Sequence, residues 1–399
     1  MDPLTPPVES YGDLLEGGTY TSVAGTAVGV CAAGIKSSDR LDVAVLVADG
    51  VAAGMTTTST AASAPCVWTR SILPGPLTAV VVNAGNANAA TGQQGVDDCR
   101  AMRLAVSESL RCDANRIAVC STGVIGVPMP MERVIPGVKT AASDLSATGH
   151  DAAKAIITTD LVIKEAAARV DGITVGGIAK GSGMIHPNMG TMLAFLSTDA
   201  SVDSDVLQAV LKEVVDTTFN AITVDGDMST SDTVILQATG HSVDVRPETH
   251  QYNALRVALY TVCRHLARSI ARDGEGARRL ISVIVEGLDD RQAQQAALVV
   301  ARSPLVKTAV HGCDANWGRV VGALGAAGVD GLDRVDLDFA GVPVVRNGRP
   351  IVFDEEAASA ALAADEVTIH ARLAGDGVGR AWGCDLSADY VRINADYRS

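Results

Sequence analysis

The chain has 399 residues, 47% of them apolar, enough for two or three domains with sizeable cores rather than a disordered segment. Aromatic residues make up only 3%, so the core must be built from Ala, Val, Leu and Ile. A formal net charge of -14 argues against a nucleic-acid binder, which needs a basic footprint, although a local site for a small anion can oppose the global sign.

In chain order, residues 1–25 form a polar lead-in with Pro3, Pro6 and Pro7. It carries Asp2 and Glu9 and no apolar h-region, so no secretory leader is expected. No apolar stretch approaches the ~20 residues of a spanning helix, and a cytoplasmic enzyme is expected. Residues 42–48 and 77–83 are β-branched runs that predict buried strands. Residues 83–92, dense in Asn, Gly and Ala, predict a turn with many amide donors, and 95–110 repeats apolar residues at helical spacing. A strand at 117–120 runs into Ser121-Thr122-Gly123. A hydroxyl and a glycine N–H at a strand end can be aimed at one point, as an oxyanion hole requires, and an ordinary S-T-G turn is the plainer alternative. A short helix at 150–157 ends at Thr158-Thr159-Asp160, and a strand at 173–179 delivers Lys180. That lysine is either solvated or a point charge for a substrate carboxylate.

Residues 180–195 read K-G-S-G-M-I-H-P-N-M-G-T-M-L-A-F, a Gly-rich loop running into an apolar segment. The plain reading is a turn feeding a core strand. The chemical one is an N-terminal nucleophile: Thr191 Oγ attacks the Gly190 carbonyl, an N→O shift gives an ester, and its hydrolysis leaves Thr191 with both a hydroxyl and a free α-amine.

Beyond it, 204–219 predicts an amphipathic helix with Ser204 as N-cap. The acids Asp225, Asp227 and Asp232 lie in a hydroxyl-rich block that lacks the Gly and final Glu of an EF-hand loop, so turn and network roles are expected rather than a metal. Residues 248–272 predict a long helix ending in Asp273-Gly274-Glu275-Gly276, which exposes a carboxylate at a tight turn. Strands are expected at 281–286 and 305–310, with a helix at 291–301 between them. His311, Cys313 and Asp314 lack metal-ligand spacing, and a packed turn opening a helix at Trp317 is expected. A hairpin is predicted over 335–353 around Asn347-Gly348, and 366–373 with 381–386 form a second pair around Gly375-Asp376-Gly377. The eight cysteines fall singly in apolar surroundings with no CxxC, as reduced buried thiols do.

The 180–193 stretch closely resembles the self-cleavage signature of the ornithine acetyltransferase (glutamate N-acetyltransferase) family of arginine biosynthesis. Further blocks at family-like spacing are A-A-G-I-K (32–36), N-A-G-N-A-N-A (83–89), C-S-T-G-V-I-G (120–126), I-T-T-D (157–160), D-G-D-M-S-T-S-D-T (225–233), D-G-E-G (273–276), 303–319, G-C-D-L-S (383–387) and Y-V-R-I-N (390–394). The resemblance implies cleavage between Gly190 and Thr191, with Thr191 as nucleophile. It implies Thr122 and Gly123 as oxyanion donors, and substrate contacts from Thr158, Lys180, Thr191, Glu275, Asn394 and Ser399, with Glu275 on the side-chain ammonium. It implies acetyl transfer from N2-acetylornithine to glutamate through a Thr-linked acyl-enzyme. No cofactor or metal is implied, and acetyl-CoA is an alternative donor in some members. Two chains of one precursor, two copies of each, would form the enzyme, with no nucleic-acid or membrane partner.

The runner-up readings are an N-terminal-nucleophile aminopeptidase or amidase and a specialised paralogue. Three departures keep the latter alive: Gly190 where the family usually has Ala, Ala84 where it has Ser, and Ala90 where it often has Cys. The fold expected is α/β (α+β), with mixed sheets sandwiched by helices, similar to the aminopeptidase and ornithine acetyltransferase fold, and a smaller C-terminal α/β domain. The divisions expected are 1–190, 191–285 and 286–399.

Overall fold

Val-rich runs that are buried on both faces belong in the middle of a sheet covered by helices. A computed structural model, which describes residues 12–36, 39–186 and 192–396, shows this arrangement. The first part supplies β1 (Thr26–Cys31), β2 (Val43–Thr56), α1 (Ala64–Ile72), β3 (Gly75–Asn86), α2 (Gly92–Leu110), β4 (Ile117–Val124), α3 (Met131–Ser143), α4 (Gly149–Ile156), β5 (Lys164–Val170) and β6 (Ile173–Lys180). Next come β7 (Leu193–Thr198), β8 (Ser201–Val202), α5 (Ser204–Asp216), β9 (Thr233–Ala238), β10 (Asp244–Val245) and α6 (His250–Arg272). The last part supplies β11 (Leu280–Leu288), α7 (Asp290–Arg302), α8 (Pro304–His311), α9 (Trp317–Ala326), β12 (Asp336–Phe339), β13 (Val342–Arg346), β14 (Arg349–Pro350), α10 (Glu355–Leu362), β15 (Glu366–Gly375), β16 (Val378–Cys384) and α11 (Ala388–Asp396).

The larger sheet runs β4-β3-β2-β9-β7-β6-β5, with β1 paired to β2. Its pairs are mixed: β3–β4 and β7–β9 are parallel, while β2–β3, β2–β9, β5–β6 and β6–β7 are antiparallel. Every residue of β6, β7 and β9 is buried. One face carries α5 and α6, whose buried Leu207, Leu211 and Val214, and Leu255, Leu259, Leu266 and Ile270, repeat at helical spacing. Opposite, Ala152, Ala153 and Ile156 of α4 join Leu46, Val80 and Phe195 in one cluster. On the other face of β2, β3 and β4, Met102 and Val106 of α2 and Val134 and Val138 of α3 join Val45, Val81 and Val119 in another cluster. Helices therefore cover both faces, as expected. The N-cap of α5 is Asp203 rather than Ser204, which is the first helical residue.

The second sheet, β14-β13-β12-β15-β11-β16, has its own core of Ile281, Val283, Val300, Leu337, Phe339 and Ile369 among others. Two expectations fail here. Residues 305–310 are not a strand but lie in α8: Ser303 accepts the Val306 N–H at 3.4 Å and Pro304 opens the first turn, a strong helix start that outweighs the β-branched residues behind it. The segments around Gly375-Asp376-Gly377 are strands, β15 and β16, but they do not pair with each other. β11 lies between them, parallel to β15 and antiparallel to β16, and Leu288 opposes Gly375 in the register. The Asn347-Gly348 turn does form, at φ +48° and +70°, joining β13 to β14, while β12 turns into β13 at Ala340-Gly341. All eight cysteines are free, five of them buried. Among the described residues no helix is long and apolar enough to cross a membrane.

The strand ends β3 and β4 meet so closely that one position cannot carry a side chain. Gly123 opposes Gly85 at φ +132°, and a Cβ there would lie 2.3 Å from the Gly85 carbonyl carbon and 2.5 Å from the Asn86 nitrogen. Backbone atoms on a paired strand cannot step aside, so Gly123→Ala should lower stability by about 1–3 kcal/mol. Urea unfolding of the variant measures this, and an unchanged midpoint would show that the two strand ends yield freely.

Candidate active site

The end of β4, the end of β6, the turn after α4, the turn after α6 and helix α11 converge on one cleft of about 140 Å³. Its lining includes Thr122, Gly123, Thr158, Lys180, Glu275 and Asn394. Six positions singled out from separate stretches of sequence thus share one site. Gly190, Thr191 and Ser399 lie outside the described residues.

Lys180 is 2% exposed, and its Nζ donates to Thr122 Oγ1 at 3.4 Å. Burial pushes this ammonium below its ordinary range, Asp160 pulls it back, and Lys164 pushes it down again. The cation therefore sits beside the strand-end hydroxyl, where negative charge on a carbonyl oxygen would be best met. The fixed strand pairing Ala84↔Thr122 holds that hydroxyl in place, and Ser121 Oγ donates to Asn83 Oδ1 at 2.6 Å behind it. The Asn-rich turn spends its amides internally: Asn83 Nδ2 donates to Asn86 O, Asn86 Nδ2 to Val127 O and Asn88 Nδ2 to Gly95 O. Its plain structural reading holds.

Beneath the cleft lies a charge network that sequence reasoning missed. Lys164 Nζ is paired with Asp160 Oδ1 at 2.8 Å and Asp273 Oδ2 at 2.6 Å, with side-chain exposures of 0%, 0% and 5%. Burial alone would raise the Asp160 carboxyl, but Lys180 and Lys164 hold it well below the usual carboxylate range. Asp160 also accepts the N–H of Thr158 at 3.0 Å and of Gly181 at 2.7 Å. Asp273 accepts the N–H of Leu161 and Val162, and its carbonyl accepts Ser182 Oγ at 2.7 Å. Ser182 O in turn takes the Glu275 N–H at 3.0 Å. Lysine usually ends in solvent, so a single buried one gives no sequence signal.

Glu275 lines the same cleft from the turn after α6. Asn394 Nδ2 donates to its Oε2 at 2.9 Å, and a Cβ on Gly183 would lie 2.5 Å from its carboxyl carbon. The glycine makes room for the acid, a role the loop's composition alone did not assign. Ser229, Thr230 and Ser231 complete the wall. Their hydroxyl-rich block signalled a network but not its place. Among the described residues no group of three or more His, Cys, Asp or Glu is arranged to hold a metal.

The cleft thus holds a lysine beside a strand-end hydroxyl together with a carboxylate, and comparison with known proteins says which family builds it. The model of the ArgJ family matches residues 27–399. The chain belongs to the ArgJ family. An "arginine biosynthesis bifunctional protein ArgJ" of Symbiobacterium thermophilum is 48% identical over 402 residues, covering 96% of this chain and 99% of that protein. One of the same name from Parasynechococcus marenigrum is 46% identical, covering 98% and 97%. The crystal structure of the ArgJ protein of Bacillus halodurans is similar at TM-score 0.50 and 44% identity, covering 51% of this chain and 98% of the crystallised one.

The buried network yields a stability prediction. Lys164→Met removes the cation that compensates two buried carboxylates and should cost about 3–5 kcal/mol. Chemical denaturation measures it. A loss below 1 kcal/mol would mean that water or another cation replaces the lysine.

Proposed function

We propose that this arginine-biosynthesis family member transfers an acetyl group from N2-acetylornithine to glutamate, after cutting itself between Gly190 and Thr191. The single observation that carries this reading is the shared cleft, which Thr122, Gly123 and Lys180 line together with Glu275 and Asn394. Acetylornithine would enter with its carboxylate toward Lys180 and its side-chain ammonium toward Glu275. Thr191 Oγ would attack the acetyl carbonyl while its own α-amine takes the hydroxyl proton. The oxygen would gather charge toward Thr122 Oγ1 and the Gly123 amide, with Lys180 behind them. Collapse would release ornithine and leave the acetyl group on Thr191. Glutamate would then take the same place, and its α-amine would accept the acetyl group. That the relatives are named bifunctional fits a second acyl donor, acetyl-CoA, loading the same threonine.

Self-cleavage draws support from the half-length relative. The crystallised Bacillus halodurans chain matches over 98% of itself yet covers only 51% of this one, as one product of a cut near the middle would. The cut pieces would remain joined, because β7 is hydrogen-bonded to β6 along its length. Intact mass and N-terminal sequencing test the reading directly. The 41.0 kDa chain should yield two polypeptides, the second beginning at Thr191, and Thr191→Ala should stay whole and inactive. An uncut wild type with full transferase activity would overturn it.

The ammonium assignment has its own test. Glu275→Gln keeps the shape and loses the charge, so kcat/KM for acetylornithine should fall by an amount equivalent to about 1.5–3 kcal/mol. A neutral donor such as acetylnorvaline should lose much less. Equal losses for both would move the reading of the ammonium to another residue.

A further inference from the structure

Helices α1 and α2 each turn one face into a second cavity, of about 640 Å³ against about 140 Å³ for the cleft. Ala64, Val67, Trp68 and Ser71 recur at helical spacing on α1, and Val96, Arg100 and Arg103 do so on α2. The volume lies within the roughly 300–1,000 Å³ of small-molecule sites. Apolar groups dominate the walls. Val67 and Val96 are 54% and 50% exposed, and burial pushes the Cys99 thiol up to about 12, so that part of the wall stays neutral.

Charge in this cavity has one sign. The chain carries 46 acids and a net charge of -14, yet among the described residues no Asp or Glu lines the space, while Arg100 and Arg103 do. Arg103 is set in place rather than neutralised. Its guanidinium lies 3.9 Å over the Trp68 ring and donates to Ala114 O at 3.3 Å and Asn115 Oδ1 at 3.2 Å, and none of these partners is charged. Arg100, one turn earlier on the same face, is exposed.

Both helices begin at the cleft. Ser63, the N-cap of α1, donates its N–H to Thr230 O at 2.8 Å, and just before α2 the Ala89 carbonyl accepts the Gly126 N–H at 2.9 Å. Ile125 and Thr230 line both spaces, so the cavity adjoins the cleft there. Arg100 and Arg103 stand about 12 and 16 Å along α2 from Gly92, at the rise of a helix. An occupant that fills this space is therefore long and slim, largely uncharged toward the cleft and anionic at its far end.

We infer that the cavity holds a coenzyme A thioester, its phosphates on Arg100 and Arg103 and its pantetheine arm running between Val67 and Val96 toward Ile125 and Thr230. Guanidinium forks match phosphate oxygens, and the arm is a flexible chain of methylenes and amides without charge. The inference rests on the acyl-transfer reading above and gives its second donor a place of its own. Acetylornithine, short and without phosphate, has no use for this space.

The test is calorimetric titration of the purified protein with free coenzyme A, which carries no acyl group and so gives no turnover. The wild type should bind it. Arg100→Glu should weaken binding by about tenfold or more, the worth of a charge-assisted hydrogen bond. Val96→Trp, which fills the channel, should weaken it by a similar factor. Arg169→Glu makes the same change of charge on β5, at the other edge of the sheet, and should alter binding by less than about twofold, since exposed charges that far away are screened. Arg100 and Val96 are both exposed side chains, and either variant decides if circular dichroism shows the other unfolded. A wild type that does not bind coenzyme A, wild-type affinity in a folded Arg100→Glu or Val96→Trp, or an equal loss in Arg169→Glu overturns the inference. Binding that follows these expectations in a protein unable to transfer acetyl from acetylornithine would instead sink the reading of the cleft, so the two failures are distinct.

Discussion

The cleft depends on one buried ammonium. Lys164 neutralises Asp160 and Asp273, and these two acids hold the backbone of three otherwise separate pieces: the Thr158 turn, the Lys180–Gly181 strand end and, through Ser182, the Glu275 turn. A bare carboxylate could not be kept in that interior, and a neutral side chain would bind backbone amides less tightly. The charge that stabilises the acids thus also ties together backbone groups from 158 to 275 in the sequence. Pairing and positioning are one interaction, which is why Lys164 acts without lining the cleft.

The local field differs from that of the whole molecule. The protein carries a formal net charge of -14, yet two buried lysines, Lys164 beneath the cleft and Lys180 in its wall, both act on the buried Asp160. Being out of water, these charges are weakly screened and keep their influence at physiological salt. A zwitterion entering here meets fixed charges of both signs rather than side chains that must first reorganise.

What the sequence made legible follows from its physics. Runs such as 77–83 and helices such as α6 carry their periodicity openly, and each was placed within a few residues. Pairing partners are another matter. A turn at Gly375-Asp376-Gly377 tells that the chain reverses, and nothing local tells that β11 will slide between the two arms. At 305–310 a strand-like composition hid a helix because the deciding residues, Ser303 and Pro304, stand just before the run. The site residues with distinctive motifs around them were visible. Lys164, Gly183 and the Ser229–Ser231 wall were not assigned to the site, because partners distant in sequence, such as Asp273 for Lys164 and Glu275 for Gly183, complete their part.

The strand order of the larger sheet has a bearing on time as well as shape. β7 and β9 come after residue 191, and they lie between β2 and β6, which come before it. Strands from the two sides of the proposed cut are thus interleaved. A polypeptide ending at Gly190 would hold two blocks of strands with a two-strand gap between them, and one starting at Thr191 would lack both flanks for its central pair. If the chain is cut there, a sheet that has closed beforehand keeps every strand pairing, because the two sets of strands are already interleaved when the bond breaks. Two genes encoding the halves separately would have to solve an assembly problem that a single continuous chain never meets.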